Sequence, residues 1–374
     1  MKNCLKLSAV VLLGGLMAVL SSCTNGGVDD PGSNFDRPAM LNNYGNNIII
    51  PSYESLKSSV DDLDAAADAF STEPTASNLS GLQNELKKAR LAWQDASPFQ
   101  FGPAEMNVLR AVLNTYPANT DQINSNIQSG SYNLETLENR AAAGFPTLGY
   151  LLHGVGDNNE QIVLQYTTEQ NASNRMAYLQ DNVDYVKETV DGTLNAWASN
   201  GGSYIDTFLS DDNAGTDVGS SLGMMVNALV LHYERFTRDG KIGIPAGVRS
   251  AGVPRPEATE AFYAGYSLEL AIANLRAIKR LYLGTGLNTG DGLGLEENLI
   301  SLDAAGLADQ ITTEIDQAIA ALEELNDPLS QQIENNNDPV LTAFQELQDV
   351  VVLLKADMAS ALGVTITFQD NDGD

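Results

Sequence analysis

Cysteine and histidine are scarce in this 374-residue chain, which contains two of each. If a leader containing Cys4 is removed and Cys23 is modified, no thiol remains for a disulfide, a thiolate nucleophile or a zinc–cysteine site. The chain also has no His-Glu-x-x-His motif. The ordinary side chains of zinc peptidases are therefore missing.

Positive charge is the second shortage. Lys and Arg number 20 against 49 Asp and Glu, so the formal net charge is −29, and loss of Lys2 and Lys6 with a leader makes it −31. Such a chain repels nucleic acid and anionic lipid, so we expect no nucleic-acid partner. The acidity either attracts cations or a basic partner, or only keeps the protein soluble. The 43% hydrophobic content suffices for a core, and the length suits two domains or two similar halves.

Residues 1–22 are predicted to be a lipoprotein signal peptide. Lys2 and Lys6 precede an apolar run at 7–20, which is too short to span a bilayer comfortably. The run ends in LSSC, which is typical of a bacterial lipobox with Cys23 as the lipidated residue. We therefore expect a cell-envelope protein held by lipid at the outer membrane, facing the periplasm or the surface. The alternative is an ordinary secretory signal in which Cys23 is incidental.

Apolar residues beyond the leader recur at helical spacing almost throughout, so we expect an all-α fold. Residues 23–43 lack this periodicity, mix Gly, Asn, Asp and Pro, and are predicted to be a flexible tether. Strand-like alternation has one candidate, residues 364–368. The predicted helical faces include Leu56, Val60, Leu63 and Ala67; Leu79, Leu82, Leu86, Ala89 and Trp93; Leu222, Met225, Leu229, His232 and Phe236; and Phe262, Tyr266, Leu270 and Leu281.

Five segments, spread from the first half to the end of the chain, carry a family resemblance. They are ARLAWQDASPFQFGP at 89–103, the region 134–154, KIGIPAG at 241–247, EAFYAGYSLELAIANLRAIKRLYLG at 260–284, and the ending ALGVTITFQDNDGD. Together they resemble the imelysin family. This resemblance implies an all-α fold of two helical-bundle halves packed side by side, which we place at residues 44–200 and 201–374. It also implies a bacterial envelope setting, a metallopeptidase label and an association with iron-uptake components as partners.

The motif that marks the family is degenerate in this chain. The family has Gly-x-His-x-x-Glu, in which a His and a Glu three residues apart share one helix face and could hold a metal. Aligned on GFPTLGYLLHG, Gly144 fills the glycine position, but Pro146 stands at the His position and Gly149 at the Glu position. Neither side chain can coordinate a metal. The cofactor is therefore unknown, with iron or another divalent cation as candidates, and zinc is not expected.

The segment 144–154 is still predicted to line a cleft between the halves. Gly144 permits a left-handed or close-approach backbone, and Phe145 anchors the helix. Tyr150 and His153 are then the polar candidates for ligand binding. His153 has an alternative role as a helix-end histidine beside Gly154. The further candidate ligand-binding residues are Phe99, Phe101, Asp372 and Asp374.

Two other features admit a functional and a structural interpretation. Asp370, Asp372 and Asp374 alternate at the end of the chain, and they are either hard-cation ligands or a solvated acidic tail. His232 lies among apolar residues, and we expect a hydrogen-bonded core histidine rather than a ligand.

Two functions follow from these observations. The first is a non-catalytic envelope binding protein associated with iron or haem uptake, which uses the cleft between its halves. The second is a metallopeptidase with an atypical metal site. The missing His and Glu favour the binding protein and leave no residue to name as catalytic.

Overall fold

Helices form the architecture, as the apolar periodicity predicts. The structure, a computed structural model, describes residues 35–368, and no β-strand occurs within that range. Residues 364–367, which contain most of the single strand candidate, form irregular chain. The all-α fold class is confirmed.

The helices of the first half begin where the sequence offers caps. Thr75 and Asn158 each accept a hydrogen bond from the backbone N–H three residues further on, which satisfies a donor that the first helical turn leaves free. The α-helices of this half are α1 (Arg37–Asn43), α2 (Ile50–Thr72), α3 (Ala76–Ala96), α4 (Pro103–Met106), α5 (Leu109–Leu113), α6 (Thr120–Ser129), α7 (Gly144–His153), α8 (Asn159–Thr167) and α9 (Ala172–Trp197).

The second half contains α-helices and a long π-helical segment. The π-helix His232–Gly243 continues directly from the α-helix that ends at Leu231, and a shorter π-helical turn lies at Leu353–Met358. A third π-helical turn, Tyr44–Ile49, lies in the first half between α1 and α2. The α-helices are α10 (Tyr204–Phe208), α11 (Ser221–Leu231), α12 (Ser267–Leu283), α13 (Leu295–Ser301), α14 (Ala305–Glu323), α15 (Leu329–Asn335), α16 (Asp338–Val352) and α17 (Ala359–Ala361). Short 3-10 turns lie at Leu137–Ala142, Asp211–Asn213 and Pro256–Ala258.

Two groups of helices pack around one continuous core. In the first group, α2 lies against α3 and α9, and α7 packs on α3 and α9. In the second, α14 lies against α12 and α16, and the π-helix packs on the same two helices. Helices α3 and α12 contact each other and join the groups, and their buried apolar residues belong to the same core. The division of the chain at residue 200 stays a prediction.

Most residues on the predicted faces are buried, but two aromatic rings are not. Phe236 is 37% exposed because it lies in the π-helix, where the 3.6-residue spacing no longer holds. Phe262 is 36% exposed because α12 begins only at Ser267, so this ring belongs to the irregular segment before it. Both rings line cavities that are described below.

The predicted tether is wrong for its last part. Residues 37–43 form α1, in which Met40 and Leu41 are buried. The Asn43 side chain donates hydrogen bonds to the carbonyls of Gly284 (2.7 Å) and Leu293 (3.0 Å), so α1 is fixed to the loop after α12. Apolar burial and these bonds hold the segment, although its composition resembles that of a linker.

Several predictions concern residues outside the described range of 35–368. These are the signal peptide, the first part of the tether, the lipidated Cys23 and the tail carboxylates of Asp370, Asp372 and Asp374. Within that range, no helix combines the length and the apolar character needed to cross a membrane.

Gly144 has the close backbone approach that the sequence predicts. It begins α7 with φ at +76°, and a Cβ added there would lie 2.2 Å from the carbonyl oxygen of Val112. A larger residue therefore meets both a steric clash and a left-handed backbone. This contact fixes the entry of α7 against α5.

Replacement of Gly144 should consequently destabilise the fold. We expect Gly144→Ala to lower the free energy of unfolding by at least about 2 kcal/mol, measured by denaturant titration. Gly81→Ala is the matched control, because Gly81 lies on the exposed side of α3 and an added Cβ meets nothing within 4 Å. The control should raise stability by about 0.5–1 kcal/mol. Equal effects of the two substitutions would contradict the close approach.

Candidate functional site

A small cavity lies where the degenerate motif meets the second half of the chain. Its volume is about 200 Å³, and Pro146 and Gly149 of α7 form part of its wall. Thr259 and Phe262, from the segment before α12, form the opposite part. The two positions that carry His and Glu in the family motif therefore face an internal space.

Arg90 of α3 places a positive charge in the wall of this cavity. The residue is fully buried, and none of its three guanidinium nitrogens has a hydrogen-bond acceptor. Its Nη1 would lie 3.2 Å from a Cβ added at Gly149, so the guanidinium occupies the space beside the motif's acid position. Tyr266 lies next to it, with its ring centroid 5.7 Å from the Arg90 Cζ.

Lys241 and Glu260 form a buried ion pair beside Arg90. The Lys241 ammonium donates directly to the Glu260 carboxylate, which also accepts a 2.8 Å hydrogen bond from Asn114. Burial alone would raise the pKa of Glu260, but the charges of Lys241 and Arg90 outweigh it and hold the pKa below its ordinary value. The carboxylate therefore stays ionised and is already engaged.

His232 is held neutral in the same polar cluster. Arg110 places Nη2 2.8 Å from His232 Nδ1, and because arginine only donates, Nδ1 must be the acceptor and the proton must sit on Nε2. The side chains of Ser97 and Asn274 lie within hydrogen-bond distance of Nε2. Burial and then the Arg110 charge lower the pKa of His232 well below its usual value. As expected, it is a hydrogen-bonded core histidine.

A larger cavity of about 690 Å³ adjoins the small one. Tyr116 and Pro117 line both cavities, and Arg110 and Phe236 line the larger. The Arg110 guanidinium carbon lies 3.7 Å from the Phe236 ring centroid, and burial lowers the pKa of Arg110 to about 9. The larger space therefore combines apolar surface with a cationic wall, which is a common form of ligand pocket.

The local backbone around both cavities is irregular. At the end of the π-helix, the Ile244 N–H donates to the carbonyl of Asp239, five residues back (2.7 Å). This hydrogen-bond pattern is rare in proteins, and where it occurs it is often at a functional site. Val108, which lines the larger cavity, has φ at 46°, and Ala261, which lines the smaller, has φ at 55°. Such backbone costs energy in non-glycine residues, and it tends to gather at binding sites.

The structure places the predicted aromatic and glycine site residues in the core. Gly144 and Phe145 are buried at the start of α7. Phe99 is buried with its carbonyl accepting from Tyr53, and Phe101 packs edge-on against Trp197. None of these four lines either cavity.

The predicted polar pair lies beside the cavity wall rather than in it. The Tyr150 ring packs 5.1 Å from the ring of Tyr263, which lines the small cavity, and its hydroxyl contacts Asn124. His153 ends α7, where burial and then the Arg90 charge lower its pKa to about 4. From the segment 144–154, it is Pro146 and Gly149 that form the wall.

Sequence reasoning missed the charged residues of the site. Arg90, Lys241 and Glu260 all lie in segments that resemble the imelysin family, but the motif drew attention to α7 alone. A signal was present, because Arg90 follows Leu82 and Leu86 at four-residue spacing and so falls on the apolar face of α3. A charged residue on a buried face is costly and marks a functional candidate.

The donor set does not fit a cation at the motif position. Pro146 and Gly149 supply no ligating atoms, and the guanidinium of Arg90 repels a metal ion. No group of three or more His, Cys, Asp or Glu residues with metal-binding spacing occurs within residues 35–368.

The described fold and cavity define a class: an all-helical protein whose helix groups share one continuous core, with a charged pocket in it. Residues 49–356 match the imelysin family, which carries a peptidase label, and the chain belongs to this family. The resemblance found in the sequence is confirmed.

Two solved structures share the fold, and one of them and a sequence relative are both named iron-regulated protein A. The structure resembles a putative iron-regulated protein A precursor from Parabacteroides distasonis with a TM-score of 0.71, at 18% identity, over 87% of this chain and 95% of that one. It also resembles an imelysin-like protein from Psychrobacter arcticum with a TM-score of 0.65, at 17% identity, over 90% of this chain and 99% of that one. Iron-regulated protein A from Synechococcus elongatus is 27% identical over 77 residues, which cover 21% of this chain and 22% of that relative.

The buried ion pair yields a stability prediction. Lys241→Met should lower the free energy of unfolding by roughly 3 kcal/mol, because it leaves the Glu260 carboxylate buried with its main partner removed. Adding Glu260→Gln to that variant should restore part of the loss, because it removes the unpaired carboxylate but also removes the negative charge that acts on Arg90. Arg276→Met is the control, since the Arg276–Glu323 pair is about half exposed and is worth under about 1 kcal/mol. Urea denaturation measures all three variants, and a Lys241→Met loss no larger than the control's would rule out the buried pair.

Proposed function

We propose that this protein is a non-catalytic binding protein of the bacterial envelope that serves iron or haem uptake. One observation carries the proposal: Pro146 and Gly149, at the motif's His and Glu positions, form the wall of an internal cavity. The frame of the family's site is thus retained as a pocket, while the side chains that would hold a metal there are replaced.

The chemistry around the cavity favours binding over hydrolysis. His232 is neutral, buried and engaged by Arg110, Ser97 and Asn274, so it has no free position from which to act as a general base. Glu260 is paired with Lys241 and faces the same limit. The metallopeptidase alternative draws support from the family's label, and it would need ligands from outside the cluster, such as the tail carboxylates.

The link to iron rests on similar proteins. The relatives from Synechococcus elongatus and Parabacteroides distasonis carry iron regulation in their names. We extend that association to this chain as part of the proposal, with iron-uptake components as its partners.

The envelope setting predicts a lipid anchor at Cys23. Cys23→Ala should release the protein from the membrane fraction or leave its signal uncut, because the thiol at the lipobox position would be absent. Fractionation and immunoblotting of cells that express each form measure this, with Cys4→Ala as the matched control. Unchanged membrane attachment and normal processing of Cys23→Ala would contradict the anchor.

The binding function predicts that the purified full-length protein has no peptidase chemistry. We expect no stoichiometric zinc by elemental analysis, even after incubation with zinc and desalting, since Pro146 and Gly149 offer no ligands. We also expect no cleavage of generic peptide substrates. Parallel reactions with and without a chelator separate metal-dependent cleavage from contaminating proteases. Chelator-sensitive proteolysis that copurifies with the protein would establish the alternative.

A further inference from the structure

The small cavity presents a positive charge that no carboxylate among residues 35–368 pairs with directly. Arg90 is fully buried, its three guanidinium nitrogens make no hydrogen bond, and Glu260 acts on it only through its charge. The buried carboxylate of the cluster, Glu260, is already paired with Lys241. A buried ion without a partner is strongly unfavourable, so the fold retains a cost at this point that a bound anion would remove.

The remainder of the cavity wall does not cancel this charge. Glu257 lines the cavity, but its carboxylate lies 3.2 Å from the Arg255 guanidinium, and both side chains are about half exposed. The other walls are largely apolar and include Pro146, Ala261 and Phe262. The space therefore combines one uncompensated guanidinium with apolar surface.

We propose that this cavity binds the carboxylate group of a small organic acid with an apolar body, and that Arg90 is the residue that holds it. The proposal rests on the binding function above and names the ligand class for it. A guanidinium is a planar fork that matches the two oxygens of a carboxylate. The volume of about 200 Å³ suits an acid of the size of benzoate.

The single charge selects a carboxylate over a phosphate. Lys241 and Glu260 form a neutral pair, and Arg110 lines the adjoining larger cavity, so Arg90 is the one cationic side chain among the described residues that line the small cavity. A monoanion neutralises it, whereas a phosphate dianion brings a second negative charge into a largely apolar space. A neutral amide of the same shape would leave the guanidinium uncompensated.

Gly149 is what keeps the guanidinium available. An added Cβ at this position would lie 3.2 Å from Arg90 Nη1. A glutamate there, as in the family motif, would bring its own carboxylate to the guanidinium and neutralise it. With glycine at this position, the guanidinium stays open to an anion that enters the cavity.

The test uses purified full-length protein and three matched probes in isothermal titration calorimetry. Benzoate should bind saturably at millimolar concentrations, while benzamide should show no saturable binding and phenyl phosphate should bind more weakly than benzoate. Arg90→Gln should weaken benzoate binding by about tenfold or more. Arg276→Gln, which removes an exposed arginine of another surface, should leave it unchanged.

Two further measurements separate a ligand-binding arginine from a structural one. Arg90→Gln should keep or raise the thermal unfolding midpoint in the absence of benzoate, because it removes an unpaired buried charge. Gly149→Glu should abolish benzoate binding while Arg90 is still present. A lower unfolding midpoint with unchanged benzoate affinity in Arg90→Gln would show that Arg90 is structural.

Other results would overturn the proposal in distinct ways. No saturable benzoate binding, or equal binding of benzamide, would refute carboxylate recognition, and the binding function would still stand if the peptidase and zinc tests are negative. Tighter binding of phenyl phosphate would refute the choice of carboxylate. Chelator-sensitive peptidase activity would overturn the proposed function whatever benzoate does.

Discussion

The buried charges between α3, the π-helix and the segment before α12 constrain the rest of this molecule. Lys241 pairs directly with the carboxylate of Glu260, and the charge of Arg90 also acts on that carboxylate. All three side chains are buried, and each such ion costs several kcal/mol to desolvate. Apolar burial in the core that joins both helix groups must offset the part of this cost that the Lys241–Glu260 pair does not.

The same constraint accounts for the irregular backbone at the site. A regular helix through residues 232–243 would carry His232 and Phe236 along one buried stripe, whereas the π-helix buries His232 and turns Phe236 into the larger cavity. The segment before α12 stays non-helical as far as Tyr266, which brings Phe262 to the cavity wall and Glu260 into the charge cluster. Regular secondary structure is interrupted where the side chains must reach the pocket.

Sequence periodicity predicts the fold well because burial of apolar faces decides it. Leu56, Val60 and Leu63 are buried as their spacing requires, and the all-α class follows from many such faces. The composition of residues 37–43 predicts a flexible linker, but these residues form α1. Two long-range hydrogen bonds from the Asn43 side chain hold the segment in place. Such contacts between distant residues leave no local pattern.

The candidate site was predictable only in part, for a related reason. Pro146 and Gly149, which stand at the motif's His and Glu positions, lie in the cavity wall. Arg90 comes from another helix, and only the folded chain shows that it lies beside Gly149. Its place in the site depends on a relation between two segments that are distant in the sequence.

The overall acidity of the chain limits which anions can reach the buried guanidinium of Arg90. A protein with a formal charge of −29 repels anions over distances of about a Debye length, roughly 8–10 Å in physiological salt. A polyanion is repelled through every charge that it carries. A small monoanion is repelled through one charge, and its attraction to Arg90 offsets that repulsion. A negative exterior around a single buried positive charge therefore favours small, singly charged ligands and disfavours nucleic acid and anionic polymers. Salt should weaken this selection, because it screens the exterior much more than the buried site.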